Sequence, residues 1–346
     1  MANWPEALPA NNAKNDFNSA REAFLISHLD DGTCKVPGKR NFKVVGFDSF
    51  ADYVCDETDD NVQINQCLQD LPDGGVVLFQ RGIYQISASI TPPNLDALYI
   101  LIGAGMGNTI LKAKDAEDLD ILFNFRNLQV SDMSFDCNRD NGGSVRAIMT
   151  SSGVMYGRFH IERISVHNSK ADWAVNLDMP VRKYVLNSRL ENNINSLRLG
   201  ASELTWIRGN HVEAEDKVLE VYGTSFVLEN YFKTNEVYPT GILISGNTIT
   251  EGNHADIAPV KVVATYSVIG KNRIGYFPSC WGYGLDISGE GNLVCDNQIF
   301  GHDVGINLEA DAFYTHLHGN YLRLCTTAIQ DPGGLGTFDN DNVIRP

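Results

Sequence analysis

The chain has no C-x-x-C pair, no apolar run of 18 residues, and at its start neither the basic cluster nor the apolar stretch of a secretory leader. Each absence removes a class of reading. Seven cysteines (Cys34, Cys55, Cys67, Cys137, Cys280, Cys295 and Cys325), odd in number and scattered, read as mostly buried thiols of a protein made in a reducing compartment, not as zinc ligands or a disulfide framework. Without a long apolar run no membrane insertion is expected, and without a leader standard secretion is not expected. Cations are also scarce. The 346 residues carry 27 Lys and Arg against 43 Asp and Glu, a net charge of −16, which argues against a nucleic-acid-binding face, because phosphate affinity comes chiefly from Lys and Arg. An anionic sugar would need a local basic patch.

What is abundant is a short phrase: Asn or another polar residue, any residue, then an aliphatic or Phe. It occurs as Met133-Ser-Phe135, Glu162-Arg-Ile164, Ser188-Arg-Leu190, Asn210-His-Val212, Asn230-Tyr-Phe232, Asn247-Thr-Ile249, Asn272-Arg-Ile274, Asn297-Gln-Ile299, Asn320-Tyr-Leu322 and Asn342-Val-Ile344, with successive starts 17 to 29 residues apart. A second phrase runs in phase with it, as in Ala174-Val-Asn-Leu177, Ser196-Leu-Arg-Leu199, Val218-Leu-Glu-Val221, Gly241-Ile-Leu-Ile244, Pro259-Val-Lys-Val262, Gly284-Leu-Asp-Ile287 and Gly305-Ile-Asn-Leu308. Alternation of this kind is a strand with one buried face. Repeats of twenty-odd residues cannot bury a core singly, so they stack. Short strands punctuated by Gly and Asn describe a parallel β-helix. The coils lack the fixed leucine spacing of a leucine-rich repeat and are shorter than propeller blades.

Residues 1–45 do not share the repeat and read as an attachment arm with a short helix over Asn15–Leu29. From residue 46 to 75 a cap is expected: Asp59 or Asp60 opens a helix, Val62, Ile64, Cys67, Leu68 and Leu71 form its apolar face, and Pro72 stops it. Such a helix would cover the open end of the solenoid. Coils fill residues 76–346.

The phrases Asp56-Glu-Thr-Asp-Asp60, Asp73-Gly-Gly-Val-Val-Leu-Phe79 and Gly82-Ile-Tyr-Gln-Ile86 resemble the N-terminal cap of the pectate-lyase-like right-handed parallel β-helix superfamily, which includes polysaccharide lyases and hydrolases, mannuronan C5-epimerases and phage tailspikes. The resemblance implies an all-β chain, a right-handed single-stranded parallel β-helix of roughly 22–25-residue coils with an N-terminal capping helix. Gly103-Ala-Gly-Met-Gly107 and Asp136-Cys-Asn-Arg-Asp-Asn-Gly-Gly143 resemble the epimerase branch in particular. An active member of that branch would carry an Asp-Pro-His-Glu tetrad, yet the matching strand offers Asn176, Leu177, Asp178 and Met179. The general base is therefore not expected there. The arm, with Ser27-His-Leu-Asp-Asp-Gly-Thr33, resembles segments of phage tail and fibre proteins.

Three motifs have plainer readings. The Gly-rich stretch Leu101–Thr109 is followed by strand-like Ile110-Leu-Lys and not by the helix a dinucleotide site needs, so a turn is expected. The Asp136 loop has Asn141 and Ala147 where a calcium hand needs Gly and Glu, so a polar turn is expected. His316-Leu-His318 has no readable acidic partner, and His167, His211 and His254 are placed in turns. No metal or cofactor is expected.

The remaining candidate site is geometric. Asn176, Arg198, Glu220, Leu243, Lys261, Asp286 and Asn307 would face outward from successive coils about 4.8 Å apart. Asp286, Glu309 and Lys261 are the catalytic candidates. Trp281, Tyr283, Asn307, Glu220 and Arg198 are the candidates for holding a sugar, the aromatic rings by stacking. The expectation is a phage-type tailspike, fibre or virion surface protein, a homotrimer that binds host cell-surface polysaccharide and meets other virion subunits through residues 1–45. It would be located in the virion, or alternatively be extracellular. The alternatives are a polysaccharide lyase, glycoside hydrolase or C5-epimerase, and a ligand-free structural decoration.

Overall fold

The computed structural model describes residues 42–345 except 115–117, 140–142, 151–156, 201–202, 235–241, 246–247, 252, 257–259, 276–281, 332–335 and 339–340. The expected arm helix therefore lies outside the described residues. The first strand, Phe42–Gly46, pairs in parallel with Gly75–Phe79. The sheet thus takes up residues 42–45, which the sequence reading had assigned to the arm.

Strand pairs between coils are parallel and in register, save for shifts between Leu190 and Asn195 where Arg189–Leu199 meets His211–Tyr222, and the strands stack into three sheets, the third joining from Leu119 onward. The first sheet runs from Gly75–Phe79 through Leu98–Ile102, Arg182–Leu186, Leu204–Arg208 and Ser225–Leu228 to Thr315–His318. The second runs from Gly82–Ile86 through Thr109–Ala113 and Tyr231–Thr234 to Val343–Arg345. The third begins at Leu119–Phe123 and includes Val145–Thr150, Val175–Leu177, Ile242–Ser245, Val260–Val263, Tyr283–Ser288, Val304–Leu308 and Thr327–Gln330. Inward residues at alternate positions stack into continuous columns. In the third sheet one column is Leu197, Leu219, Ile242, Val260, Leu285 and Ile306, all buried.

The bend between the first and second sheets accounts for the Asn phrase. A residue with left-handed backbone, such as Gly209 (φ 67°), Glu229 (φ 55°), Lys271 (φ 55°), Asp296 (φ 55°) or Gly319 (φ 62°), turns the chain, and an Asn follows it. Asn210, Asn230, Asn253, Asn272, Asn297, Asn320 and Asn342 form a ladder. The side-chain amide of each donates to Oδ1 of the next at 2.9–3.0 Å. The backbone N–H of each also donates to the same oxygen. At one rung Asn253 stands between Asn230 and Asn272; Asn247, expected in this series, lies outside the described residues.

The cap is helix α1, Asn61–Gln69. Ile64, Cys67 and Leu68 are buried as expected, but Val62 is 59% exposed, since the apolar face is narrower than the pattern suggested. Polar side chains fasten the helix to the first coil. Buried Asp60 accepts from the N–H groups of Asp56 and Gln85, and Asn61 Oδ1 accepts from Ser87 N–H. The described cysteines are free thiols, with Cys55, Cys67 and Cys137 buried, and burial pushes the Cys67 thiol up to about 12. The Gly-rich segment is a turn between Leu98–Ile102 and the strand Thr109–Ala113, as expected. No described helix is long and apolar enough to cross a membrane.

Lys183 is an exception to the apolar interior. It lies on the inward face of Arg182–Leu186, fully buried, and its ammonium donates to the Gly200 carbonyl at 2.8 Å. Burial pushes its pKa down to about 7, against the pull of Asp178, from an ordinary 10.5. The unfolded chain then holds that proton more tightly than the folded one. Stability from this group therefore rises with pH between about 7 and 10.5 and is lowest below 7. Denaturant titrations across this window should show the wild type gaining stability relative to Lys183→Met as pH rises, since the buried thiols affect both alike, with a higher Tm for the variant at pH 7. Equal slopes would mean that Lys183 stays charged in the fold.

Candidate functional site

The outward row on the third sheet is in register. Asn176, Arg198, Glu220, Leu243, Lys261, Asp286 and Asn307 are paired neighbours from coil to coil. Strand alternation turns these side chains out while Val175, Leu197, Leu219, Ile242, Val260, Leu285 and Ile306 turn in. The row is divided. Leu243, already expected in the row, separates two polar groups.

In the first group the Glu220 carboxylate is 3.6 Å from Arg198 Nε and 3.0 Å from Lys217 Nζ, and takes a 3.3 Å hydrogen bond from the Tyr222 hydroxyl. Lys217 also lies over the Trp173 ring. Asn176 is buried, and its Oδ1 has no hydrogen-bond partner among the described residues. In the second group Asp286, 7% exposed, is 3.1 Å from Lys261 Nζ and accepts from Asn307 Nδ2 at 2.8 Å. Lys261 also reaches Glu309 at 3.4 Å. Burial works to lower the Lys261 pKa, but the hydrogen bonds and charges of Asp286 and Glu309 overcome it and hold the ammonium above its ordinary value. A lysine held so firmly protonated is an electrostatic partner and a hydrogen-bond donor, not a general base.

Three catalytic candidates, Lys261, Asp286 and Glu309, are thus brought together, with Asn307 beside them. Arg198 and Glu220 belong to the other group. Tyr283 opens the same strand as Asp286 but in the parity of Leu285, partly exposed beside Val304. Trp281 lies outside the described residues. At the strand matching the epimerase tetrad, Leu177 and Met179 are buried, and the Asp178 carboxylate lies against Gly200, where an added Cβ would come within 2.0 Å of it.

The histidines differ from the sequence reading. His167, His211 and His254 lie in strands and not in turns. His318 has an acidic partner, Asp341, at 3.0 Å, supplied by the next coil and so invisible in local sequence. His211 Nε2 stands 3.3 Å from Glu191 and 2.9 Å from Glu213, and these three groups could hold a divalent ion. Arg189 and Lys233 already neutralise the two carboxylates at 2.5 and 3.7 Å, which leaves little charge to attract a cation.

The sequence reading missed a corner beside the second polar group. Tyr266, Phe313 and Tyr314 sit exposed in the turns that follow the third-sheet strands, next to Glu290 and Asp311. Ser288, at the end of the Asp286 strand, donates to the Asp311 carboxylate at 2.9 Å. The usable signal was an aromatic residue recurring at one turn position two coils apart. By contrast, the aromatic row on the first sheet is self-occupied. Trp206 and Phe226 stack on each other at 4.3 Å and 16°, so each covers one face of the other.

No family model matches the chain, and no curated protein matches it. Among solved structures, a PL6 family alginate lyase, AlyGC, is similar over 88% of this chain with 11% identity and a TM-score of 0.56, and this chain spans about half (52%) of that one. The mannuronan C-5 epimerase AlgE6 A-module of Azotobacter vinelandii is similar over 85% of this chain and 98% of its own, with 16% identity and a TM-score of 0.49. ORF18 of Geobacillus virus E2 is similar over 98% and 64%, with 14% identity and a TM-score of 0.45. At these identities the likeness is one of fold, and in fold the chain is a parallel β-helix.

Proposed function

We propose that the chain is a phage-type virion surface protein that binds a cell-surface polysaccharide along the third sheet. The observation that carries this reading is the polar row Lys261, Asp286 and Asn307, in register on three consecutive coils on the side of the strands away from the core, with Glu309 closing on Lys261. Lys261 and Glu309 are partly open to solvent, while Asp286 and Asn307 are largely covered. Donors and acceptors at a pitch of about 4.8 Å can follow the hydroxyls of successive sugar rings. The arm expected over residues 1–45, less residues 42–45 that the first strand takes up, would join the protein to other virion subunits, and the assembly would be a homotrimer, which light scattering on the full chain reads directly. A monomer in solution would remove that part of the proposal.

A polysaccharide-cleaving or -modifying enzyme is the second reading, favoured by the carboxylates of Asp286 and Glu309 against one ammonium, with the Asp311 carboxylate held by Ser288 at the end of the same strand. Asp286→Asn removes the charge while keeping an oxygen for Asn307. It should weaken retention on immobilised bacterial surface polysaccharide about tenfold, roughly 1.4 kcal/mol. A binding protein shows retention without sugar release. Steady appearance of reducing or unsaturated ends, abolished by Asp286→Asn, would establish the enzyme instead, and retention unaffected by the substitution would overturn the site.

A further inference from the structure

Three equivalent turn positions, one per coil, lie at the corner after the third sheet. Tyr266 N–H donates to the Glu290 carbonyl and Gly291 N–H to the Phe313 carbonyl, which aligns Tyr266, Gly291 and Tyr314. All three have left-handed backbone, with φ of 49°, 71° and 56°. That conformation suits the glycine and strains a tyrosine, whose Cβ crowds the carbonyl. Despite the strain both tyrosines are open to solvent, Tyr266 by 73% and Tyr314 by 80%, with Phe313 46% exposed beside them. Burial does not explain them, since little of either ring is removed from water. Strained residues held at an exposed corner point to a purpose outside the fold.

Tyr266 is also fixed in place. Its hydroxyl donates to Glu290 at 3.0 Å, and its ring lies over Gly291, where an added Cβ would come within 2.6 Å of the ring. Only glycine leaves room for the ring there. An aromatic side chain that is fixed and yet exposed loses little freedom when a ligand stacks on it. The two tyrosines are two coils apart, roughly 10 Å, about the length of a disaccharide. The charges around them select among sugars. Glu290, Glu309 and Asp311 stand at this corner, and the nearby cation, Lys261, is already shared between Asp286 and Glu309. A polyuronate would meet repulsion here, whereas uncharged sugar rings offer their C–H faces to the aromatic rings and their hydroxyls to the carboxylates.

We propose that Tyr266 and Tyr314, with Phe313, form an aromatic subsite that holds a neutral glycan, extending the polar group of the third sheet around its corner. This rests on the polysaccharide-binding reading above and adds its chemical class. The test is a glycan array of neutral and acidic bacterial surface polysaccharides, probed with wild type, Tyr266→Asn, Tyr314→Asn, the double variant and Asp286→Asn. Asparagine accepts left-handed backbone more readily than tyrosine, so each Tyr→Asn variant should keep or raise its Tm. The wild type should bind neutral members, with each single tyrosine variant at least tenfold weaker and the double variant at background. Tyrosine variants that bind as wild type does while Asp286→Asn does not would overturn the aromatic subsite and leave the polar site standing. Preference for acidic members would overturn the assigned sugar class, and a wild type that binds no member would overturn both readings. A lower Tm in the tyrosine variants would mean that the rings serve the fold, and would also overturn the subsite.

Discussion

Asn272→Ala is expected to destabilise the protein by about 3–5 kcal/mol, because a buried donor or acceptor left unsatisfied costs about 1–3 kcal/mol and this change strands several. Asn253 would lose the oxygen that accepts both its backbone N–H at 3.2 Å and its side-chain amide at 2.9 Å. The Thr250 carbonyl and Asn297 Oδ1 would each lose a donor. None of these groups can turn to water, since Asn253, Asn272 and Asn297 are all buried. Equilibrium denaturation in urea reads the loss. Asn342→Ala, at the half-buried end of the ladder, should cost distinctly less. A loss under about 1 kcal/mol at Asn272 would mean that water or a relaxed turn replaces the ladder. Asn272→Asp sharpens the test. At neutral pH it buries a carboxylate facing Asn297 Oδ1, and acidification, by restoring a donor, should recover part of the stability.

Leu285→Ala should cost about 2–5 kcal/mol, the usual range for a large-to-small change in a core. Leu285 is fully buried and stacked between Val260 and Ile306 of the adjoining coils. It also lines a small internal cavity with Ile242, Ile244, Ile269 and Ile274. Truncation would enlarge a void that already exists, and the backbone on both sides is held by parallel ladders that resist collapse. Differential scanning calorimetry or denaturant titration checks it. A loss below about 0.5 kcal/mol is what an exposed site shows, and would invert the assignment of inward and outward residues on the third sheet.

Periodicity in the sequence was enough to determine the repeat, the strand parity and the capping helix, because each is a local matter of alternation and spacing. It also placed Lys261, Asp286 and Asn307 in one row, since a constant strand phase from coil to coil makes register follow from sequence. What required the tertiary structure was every choice between near-equivalent residues and every contact between coils. Asn253 takes its place in the ladder because the neighbouring coils supply its partners. Asp341 finds His318, and Lys183 ends buried against the Gly200 carbonyl. Tyr266 and Tyr314 went unnoticed in the sequence because nothing local marks a left-handed tyrosine. Their alignment through Gly291 exists only once successive turns are stacked, when residues 48 positions apart come to lie two coils from each other.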